Sequence, residues 1–523
     1  MINKCEIKEK KNMKGLKTLV LAAAMTVSMV AGCFSSFAAE TANDESVVIA
    51  LSAEPTCLLN CIIAGSANSA PGYMIYDSLV RYNSETGEVE PDLAVSWEML
   101  DDVTWQFKLR EGVVDQNGNP LTADDVLYTF KIGTEGGLSF YTRNFDVEKF
   151  EVIDDTTINI VTTSFQPDLI TMLCVACYGI TTEEGVNDAG GVDAACVNPV
   201  GGSGPYNFVE WVSGDHITLE RNENYWGEKA YFKTVTLKFV SDATTRLLGL
   251  QSGEYDIVAS VNSEQVSSVE ANPDLTLVSD STLSGNFLLF NCATEGLDNV
   301  LVRQAIAYAI DRNVILTAAM LGYGELTQST LSTMNPAYVE NPNYLFDTQN
   351  IEKAKELMAE AGYADGGLTF TYRYDAGTTG EKIGVMLQGW LKEIGIDVQL
   401  SVWTDSTTDQ AAGDWDIQLN SAGAYMLERA YNCLITGSGE YLTNGWSAWC
   451  NEEFDAAVEK IKEDRITDMG ERGVALADAF FIAEEECPII GLYNTVAFAG
   501  VRNGITGLRV SIQGEYTFEK ITK

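Results

Sequence analysis

Residues 368–403 decide the fold class of this chain. The alternating run Leu368-Thr369-Phe370-Thr371-Tyr372 predicts a strand, the apolar spacing of residues 385–394 predicts a helix, and Asp397–Trp403 predicts a second strand. A strand, a helix and a strand in this order are typical of a βαβ unit. We therefore expect an α/β protein.

The pattern of predicted helices and strands changes near residue 280, on the N-terminal side of this unit. Apolar faces predict helices at Val302–Ile310 and at Ile351–Ala361, and the second helix ends at Gly362. Strand-like segments dominate residues 205–278, and Pro488–Tyr493 is another strand-like run. We place the main domain boundary near residue 280.

The composition excludes several classes of function. The chain has 523 residues, 46% of them hydrophobic, which is enough for two to four domains with substantial cores. Its 75 acidic and 33 basic residues give a net charge of −42, which argues against a nucleic-acid partner. The single histidine, His216, leaves little for imidazole-based catalysis or histidine-rich zinc sites. We expect no enzymatic activity, no cofactor and no metal.

The N-terminus has the pattern of an export signal. Lysines between Lys8 and Lys17 precede the apolar run Leu19–Val30, which is too short to span a membrane stably. Val30–Cys33 has the form of a bacterial lipobox, with Cys33 as the lipidated first residue of the mature protein. Cleavage after Ala38 is the alternative, and it gives a periplasmic or secreted protein. Met13 is an alternative start.

Eleven cysteines in an exported chain suggest disulfides, although their connectivity cannot be deduced from the sequence. Cys174 and Cys177 form a C-x-x-C motif inside an apolar stretch without a thioredoxin-like context. We interpret them as ordinary buried thiols or one local bridge. The pairs closest in sequence are Cys57 with Cys61, Cys174 with Cys177, and Cys433 with Cys450.

Several blocks of sequence, in a fixed order, resemble one known family. Together they are similar to the family 5 solute-binding proteins of bacterial ABC importers, the peptide and nickel type, over nearly the whole mature chain. The blocks are Asp77–Val80, Pro91–Glu98, Phe107–Val113, Pro120–Val126, Gly204–Tyr206, Leu219–Gly227 and Val302–Arg312.

The resemblance implies an α/β fold of two lobes joined by hinge strands, with the first lobe enlarged by an inserted subdomain. The hinge crossings are expected near Thr282–Asn286 and Pro488–Asn494. The implied division is a signal peptide at 1–38, a lobe I core at 44–73, 198–281 and 494–523, an inserted subdomain at 74–197, and lobe II at 282–493.

The resemblance also implies where a ligand is held. In peptide-binding members the ligand is extended and pairs with backbone from both lobes, a form of strand addition. The matching residues here are Ala64, Gly65 and Ser66, together with Ser421, Ala422 and Gly423.

Two side chains qualify that expectation. Trp403 matches a tryptophan of the family's pocket wall, with lobe core as the alternative. Tyr425 stands where peptide binders have an aspartate that pairs with the ligand's α-amino group, and a tyrosine brings no anion at neutral pH. Glu428, one helical turn further on, is a weak candidate for that charge.

The implied function is the extracellular substrate-binding component of an ABC importer. It captures peptides or similar small solutes between the lobes and delivers them to a membrane permease, and we expect a monomer. The loss of the aspartate leaves open an oligosaccharide or a modified peptide as ligand, and a sensor that docks on a receptor is a further alternative. A secreted glycosidase with two carboxylates facing each other across a cleft is the competing enzyme class.

Overall fold

The computed structural model describes residues 45–375, 378–404, 413–423, 427, 431 and 447–523. The signal segment with Cys33 and Ala38, and also Tyr425 and Glu428, lie outside the described residues. No helix in the described part of the chain has the length and apolar character needed to cross a membrane.

The strands alternate with helices along much of the chain. They are β1 Ser46–Leu51, β2 Val80–Asn83, β3 Glu88–Pro91, β4 Ala94–Met99, β5 Thr104–Leu109, β6 Glu151–Asp154, β7 Thr157–Val161, β8 Tyr206–Val212, β9 His216–Arg221, β10 Thr234–Phe239, β11 Ile257–Val258, β12 Leu275–Phe290, β13 Leu368–Tyr374, β14 Ile396–Val402, β15 Ile417–Gly423, β16 Ile489–Arg502, β17 Arg509–Val510 and β18 Tyr516–Thr517.

The α-helices range from one turn to five turns in length. They are α1 Ser66–Ile75, α2 Ala123–Glu135, α3 Ser139–Thr142, α4 Leu169–Met172, α5 Glu183–Ala189, α6 Val192–Ala195, α7 Ala243–Ser252, α8 Ser263–Glu270, α9 Val300–Ala309, α10 Arg312–Ala318, α11 Ile351–Glu360, α12 Thr379–Glu393, α13 Glu452–Glu463 and α14 Met469–Glu486.

Ten strands form one mixed sheet in the order β14-β13-β15-β12-β16-β11-β1-β10-β9-β8. The predicted βαβ unit is confirmed, because β13 and β14 pair in parallel and α12 connects them. A second parallel pair, β1 with β11, lies in the other half of the sheet. A separate antiparallel sheet, β4-β5-β7-β6, belongs to the segment between α1 and β8.

Two long antiparallel strands join the halves of the large sheet. The first part of β12, residues 275–281, pairs with residues 496–502 of β16, and its last part, 285–289, pairs with 489–494. The ladder shifts register between Ser281 and Gly285. There the Thr282 hydroxyl donates to the Thr495 carbonyl at 3.1 Å, and the Asn286 amide donates to the Thr495 hydroxyl at 2.6 Å.

The hydrophobic core divides at the same place. Ala499 and Val501 of β16 pack in a cluster with β1, β9 and β10, whereas Ile490 and Leu492 pack in a different cluster with α9, α12 and β13. A further cluster holds α13 and α14. The chain therefore has separate cores on the two sides of the interrupted ladder, although the boundaries given above for the lobes and the inserted subdomain stay a prediction.

Local predictions from the first half of the chain are confirmed. The capping box that Thr122 and Asp125 suggest is present at the start of α2. His216 begins β9, half-buried beside Asp215, while Ile217 and Leu219 point into the core. This surface histidine has the structural role that its alternating pattern indicates.

Two features add to the sequence-based expectations. The strand-dominated region 205–278 also contains the helices α7 and α8, which Asp242 and Asn262 cap. Cys57 is bonded to Cys196, 139 residues away, a pairing that the sequence left open. Cys174 and Cys177 are buried free thiols, which is one of the two interpretations given above for this motif.

Candidate functional site

A cavity of about 320 Å³ opens at the carboxyl ends of the parallel strands β1 and β11. Open α/β sheets bind ligands at this edge, because the loops that leave the strands there diverge and leave a crevice. The cavity is lined by residues within 51–53, 66–70, 259–262, 496–498 and 514–518. Residues 496–498 of β16, just beyond the interruption in its ladder with β12, are part of this lining. The cavity therefore lies next to the interruption, in the half of the sheet that contains β1.

Of the predicted segment Ala64, Gly65 and Ser66, only Ser66 reaches this cavity, whereas Ala64 and Gly65 line a separate small pocket beside Asn68. Ser66 also starts α1, while Gly65 and Ser66 are both exposed. The Gly65 carbonyl accepts from the Asn68 backbone and from the Ser69 hydroxyl, which fixes the turn into the helix. The small side chains leave this backbone open to close approach.

The second predicted segment, Ser421, Ala422 and Gly423, is the end of β15. It pairs with β12 on one side, with Asn286, Gly285 and Ser284 as the respective partners. On the other side, the described pairing with β13 is limited to Ile417 and Gln418. Within the described residues, the last part of β15 thus has one edge with no strand against it, which is the geometry that strand addition requires.

Strand β12 contacts both the end of β15 and the wall of the cavity. Gly423 pairs with Ser284, which lies two residues from Thr282 on β12. Gly514, with φ of +82°, approaches Thr282 so closely that a Cβ on it would lie 2.7 Å from Cγ2 of that threonine. With a strand spacing of about 4.8 Å and a rise of about 3.3 Å per residue, the end of β15 is within roughly 20 Å of the cavity wall. No contact between the two segments themselves is recorded.

Trp403 lies mostly in the core of its half of the molecule. Its side chain is 9% exposed in the cluster that contains Trp415, and the Arg373 guanidinium lies 5.3 Å from the ring centroid. Residues 405–412, which follow it, are outside the described residues. A role of Trp403 as pocket wall therefore stays a prediction.

The sequence analysis did not point to Glu515, the one carboxylate that the described residues contribute to the cavity wall. Its Oε2 is buried without a hydrogen-bond partner among the described residues. Burial raises the pKa of this carboxyl, and a hydrogen bond with Ser69 opposes the rise. One glutamate among 75 acidic residues carries no signal in the sequence, because only the fold turns it toward the cavity.

A second cavity, of about 500 Å³, lies on another face beside Trp226. It is rich in basic side chains, but Arg81 pairs with Asp92, Lys229 with Glu223 and Arg509 with Glu85. Residues of the sequence blocks that carry the family resemblance line it, but none of the residues that the resemblance implies as ligand-binding does. The cavity lined by Ser66 and Glu515 is therefore the candidate ligand site.

No group of three or more His, Cys, Asp or Glu side chains within the described ranges is arranged to hold a metal ion. The two C-x-x-C thiols are also poor ligands, because burial raises the pKa of Cys174 and of Cys177 well above the ordinary range of a thiol. The described part of the site consists of backbone edges, small and aliphatic side chains, the aromatic rings of Phe498, Tyr516 and Phe518, and a single carboxylate, a set suited to binding.

The model of the bacterial extracellular solute-binding proteins, family 5 Middle, matches residues 88–439. The chain belongs to this family. Among curated proteins, this solute-binding protein is 26% identical to heme-binding protein A of Haemophilus influenzae over 478 residues, which is 85% of this chain and 86% of that protein. It is 23% identical to the dipeptide-binding protein of Escherichia coli, over 88% of this chain and 91% of that protein.

Solved structures agree on the fold. The periplasmic binding protein DppA from Helicobacter pylori, in complex with the peptide STSA, superposes with a TM-score of 0.75 at 24% identity, covering 91% of this chain and 98% of that one. HbpA2 from Haemophilus parasuis gives a TM-score of 0.79 at 22% identity, with 91% and 99% covered. The expected two-lobe α/β fold is therefore confirmed, and the protein is an extracellular solute-binding protein.

Proposed function

We propose that this solute-binding protein captures short peptides, or solutes with a peptide-like backbone, and delivers them to the permease of an ABC importer as a monomer. The observation that carries the proposal is the edge of β15 at Ser421–Gly423 against which no described strand lies, together with the exposed backbone of Gly65 and Ser66. A strand edge hydrogen-bonds to the main chain of a peptide ligand, so it accepts peptides with varied side chains. Relatives described as binding dipeptides, and one bound to the peptide STSA, support the same ligand class.

The test is retention of a mixture of tri- to pentapeptides with randomised side chains by the purified protein, read by native mass spectrometry. We expect saturable retention of many sequences. Methylating one central backbone nitrogen should weaken binding about 3-fold to 10-fold, because one hydrogen bond to the strand edge is lost. Retention of only non-peptide solutes, or equal binding of methylated and unmethylated peptides, would contradict backbone-directed capture.

We also propose that the mature protein is a lipoprotein held on the outer face of the cytoplasmic membrane through Cys33. The lipobox form of Val30–Cys33 supports this, with cleavage after Ala38 as the alternative. Replacing Cys33 by serine should move the protein from the membrane fraction to the soluble extracellular fraction. Intact-mass measurement separates the alternatives, because a wild-type chain that starts at Ala39 without a lipid would overturn the anchor.

A further inference from the structure

The second cavity, beside Trp226, reverses the charge balance of the chain. Five basic and three acidic residues line it, whereas the whole chain has 75 acidic and 33 basic residues. The basic residues are Arg81, Arg110, Lys229, Arg509 and Lys520. The volume of about 500 Å³ is in the range of small-molecule sites. No residue that lines this cavity also lines the cavity of Ser66, so a ligand here would occupy a space of its own.

Two of these cations form no ion pair. Ion pairs engage the other three, but none of the ion pairs of the described residues includes Arg110 or Lys520. Arg110 is half-buried, and Lys520 is exposed. Of the side-chain donors of Arg110, only Nη2 has an acceptor in the described part of the chain, the Asp92 carbonyl at 3.3 Å. One half-buried and one exposed positive charge are therefore left for an anion.

The Trp226 ring holds the Arg110 guanidinium in place. Cζ of Arg110 lies 4.1 Å from the ring centroid. The indole N–H donates to Oδ2 of Asp77 at 2.8 Å, and Asp77 is buried, so the ring itself is fixed. An aromatic ring orients a guanidinium without cancelling its charge, and it leaves the in-plane N–H groups able to bind a carboxylate or a phosphate.

The acidic residues of the cavity offset the positive charge only in part. They are Glu90, Glu228 and Glu519. The Glu90 carboxylate accepts from the Asn83 amide at 2.6 Å, and Glu228 is exposed to solvent. Burial raises the pKa of the Glu519 carboxyl, and the charges of Arg81 and Lys520 are among the effects that oppose the rise. Glu519 is thus a single counter-charge near two cations, and the cavity keeps a surplus of positive charge.

The rest of the lining is aromatic and aliphatic. Tyr225, Trp226 and Tyr231 contribute rings, and the Tyr231 side chain is 43% exposed. Two prolines and Ile521 contribute aliphatic surface. A ligand with one anionic group and an apolar body matches both parts of this lining.

We propose that this cavity binds a small organic anion, a carboxylate or a phosphate monoester with an apolar body, through Arg110 and Lys520. The two cations hold the anionic group, and the apolar body lies against the aromatic rings. The inference goes beyond peptide capture and does not depend on it, because the two cavities share no lining residue. The long-range field of a chain with net charge −42 opposes the approach of anions, so the local charges determine whether one binds.

The experiment titrates the purified protein with three probes of similar shape: benzoate, phenyl phosphate and the neutral benzyl alcohol. Isothermal titration calorimetry gives each dissociation constant, and the two anions separate carboxylate from phosphate recognition. Arg110→Gln and Lys520→Gln each remove one charge. Lys229→Gln is the matched control for Lys520→Gln, because Lys229 is an exposed lysine of the same cavity whose ammonium is paired with Glu223 at 2.8 Å.

Wild type should bind at least one of the two anions and should bind benzyl alcohol about 10-fold more weakly or less. Arg110→Gln should weaken binding of that anion by about 10-fold to 100-fold, the range of hydrogen bonds to charged groups. Lys520→Gln should weaken it by about 3-fold to 5-fold, as expected for an exposed charge, and Lys229→Gln should stay within about 2-fold.

Thermal unfolding checks that Arg110→Gln is folded, and Lys520→Gln carries the test if it is not, since Lys520 is exposed and forms no ion pair with the described residues. Equal binding of the anions and benzyl alcohol by wild type would overturn the proposal. Anion binding that the folded variants do not weaken would place the anion elsewhere and would also overturn it. Retention of peptides is a separate readout, which neither substitution should change.

Discussion

Replacing Arg472 by methionine should weaken ligand binding by a factor of about 100 or more, and the protein should spend more time open. Arg472 on α14 is 3% exposed, and Asp168 at the start of α4 is 2% exposed. The guanidinium binds both carboxylate oxygens, with Nη1 at 3.1 Å from Oδ2. The Leu427 N–H also donates to Oδ2 at 3.1 Å.

The pair joins parts of the molecule that have different cores. Leu169, next to Asp168, packs in the cluster of β1, whereas Leu476, one turn from Arg472, packs in the cluster of α13 and α14. Removing one partner of a buried pair costs about 3–5 kcal/mol, because the remaining charge stays desolvated. Separation of the two lobes rehydrates Asp168. We therefore expect this free-energy cost to shift the protein toward its open form, with reduced ligand affinity and a larger radius of gyration in X-ray scattering.

Two variants make this result specific. Arg465→Met breaks the pair between Arg465 and Asp102, whose side chains are 52% and 53% exposed, and it should change affinity by no more than a few-fold. The double variant Asp168→Leu with Arg472→Met removes both charges and should recover most of the affinity. Wild-type affinity and scattering in Arg472→Met would show that the pair does not hold the closed form.

Replacing Cys57 by serine should lower the melting temperature by roughly 5–10 °C. The bond between Cys57 and Cys196 closes a segment of 139 residues. In the chain-entropy model, a loop of this length stabilises the folded state by about 5 kcal/mol, because it restricts the unfolded chain. Calorimetry in the oxidised and reduced states measures the effect.

The control is Cys450→Ser, since Cys450 is an exposed free thiol. It should leave the melting temperature unchanged in both states, while the reductant should destabilise wild type and have no further effect on Cys57→Ser. A melting temperature of wild type that does not respond to reductant, with the thiols shown to be reduced by mass, would mean that the bond contributes little.

The sequence predicts those parts of the structure that depend on local periodicity. The βαβ unit around α12 and the capping box at Thr122 are set by residues a few positions apart, and both are present. Pairings between residues that are far apart in the sequence leave no local pattern. Asp168 and Arg472 are separated by 304 residues, and Cys57 finds Cys196 in preference to the nearby Cys61.

The candidate site likewise has a part that the sequence indicates and a part that only the tertiary structure determines. The family resemblance points to the segments around Gly65 and Gly423, and their small residues are consistent with close approach of a ligand's backbone. The position of Glu515 in the cavity wall depends on a turn that only tertiary contacts place beside α1. The open edge of β15 depends on where β13 stops pairing, which periodicity does not determine.

The interruption in the β12–β16 ladder limits how the two strands can move against each other. Residues 275–281 pair with 496–502, and residues 285–289 pair with 489–494. Sliding one strand along the other would break both ladders at once, whereas bending near Thr282 and Thr495 leaves the flanking pairs intact. If the crossing is the hinge that the family resemblance implies, we expect a single bending axis, and a ligand that bridges the two halves needs to stop only that rotation to fix their relative position.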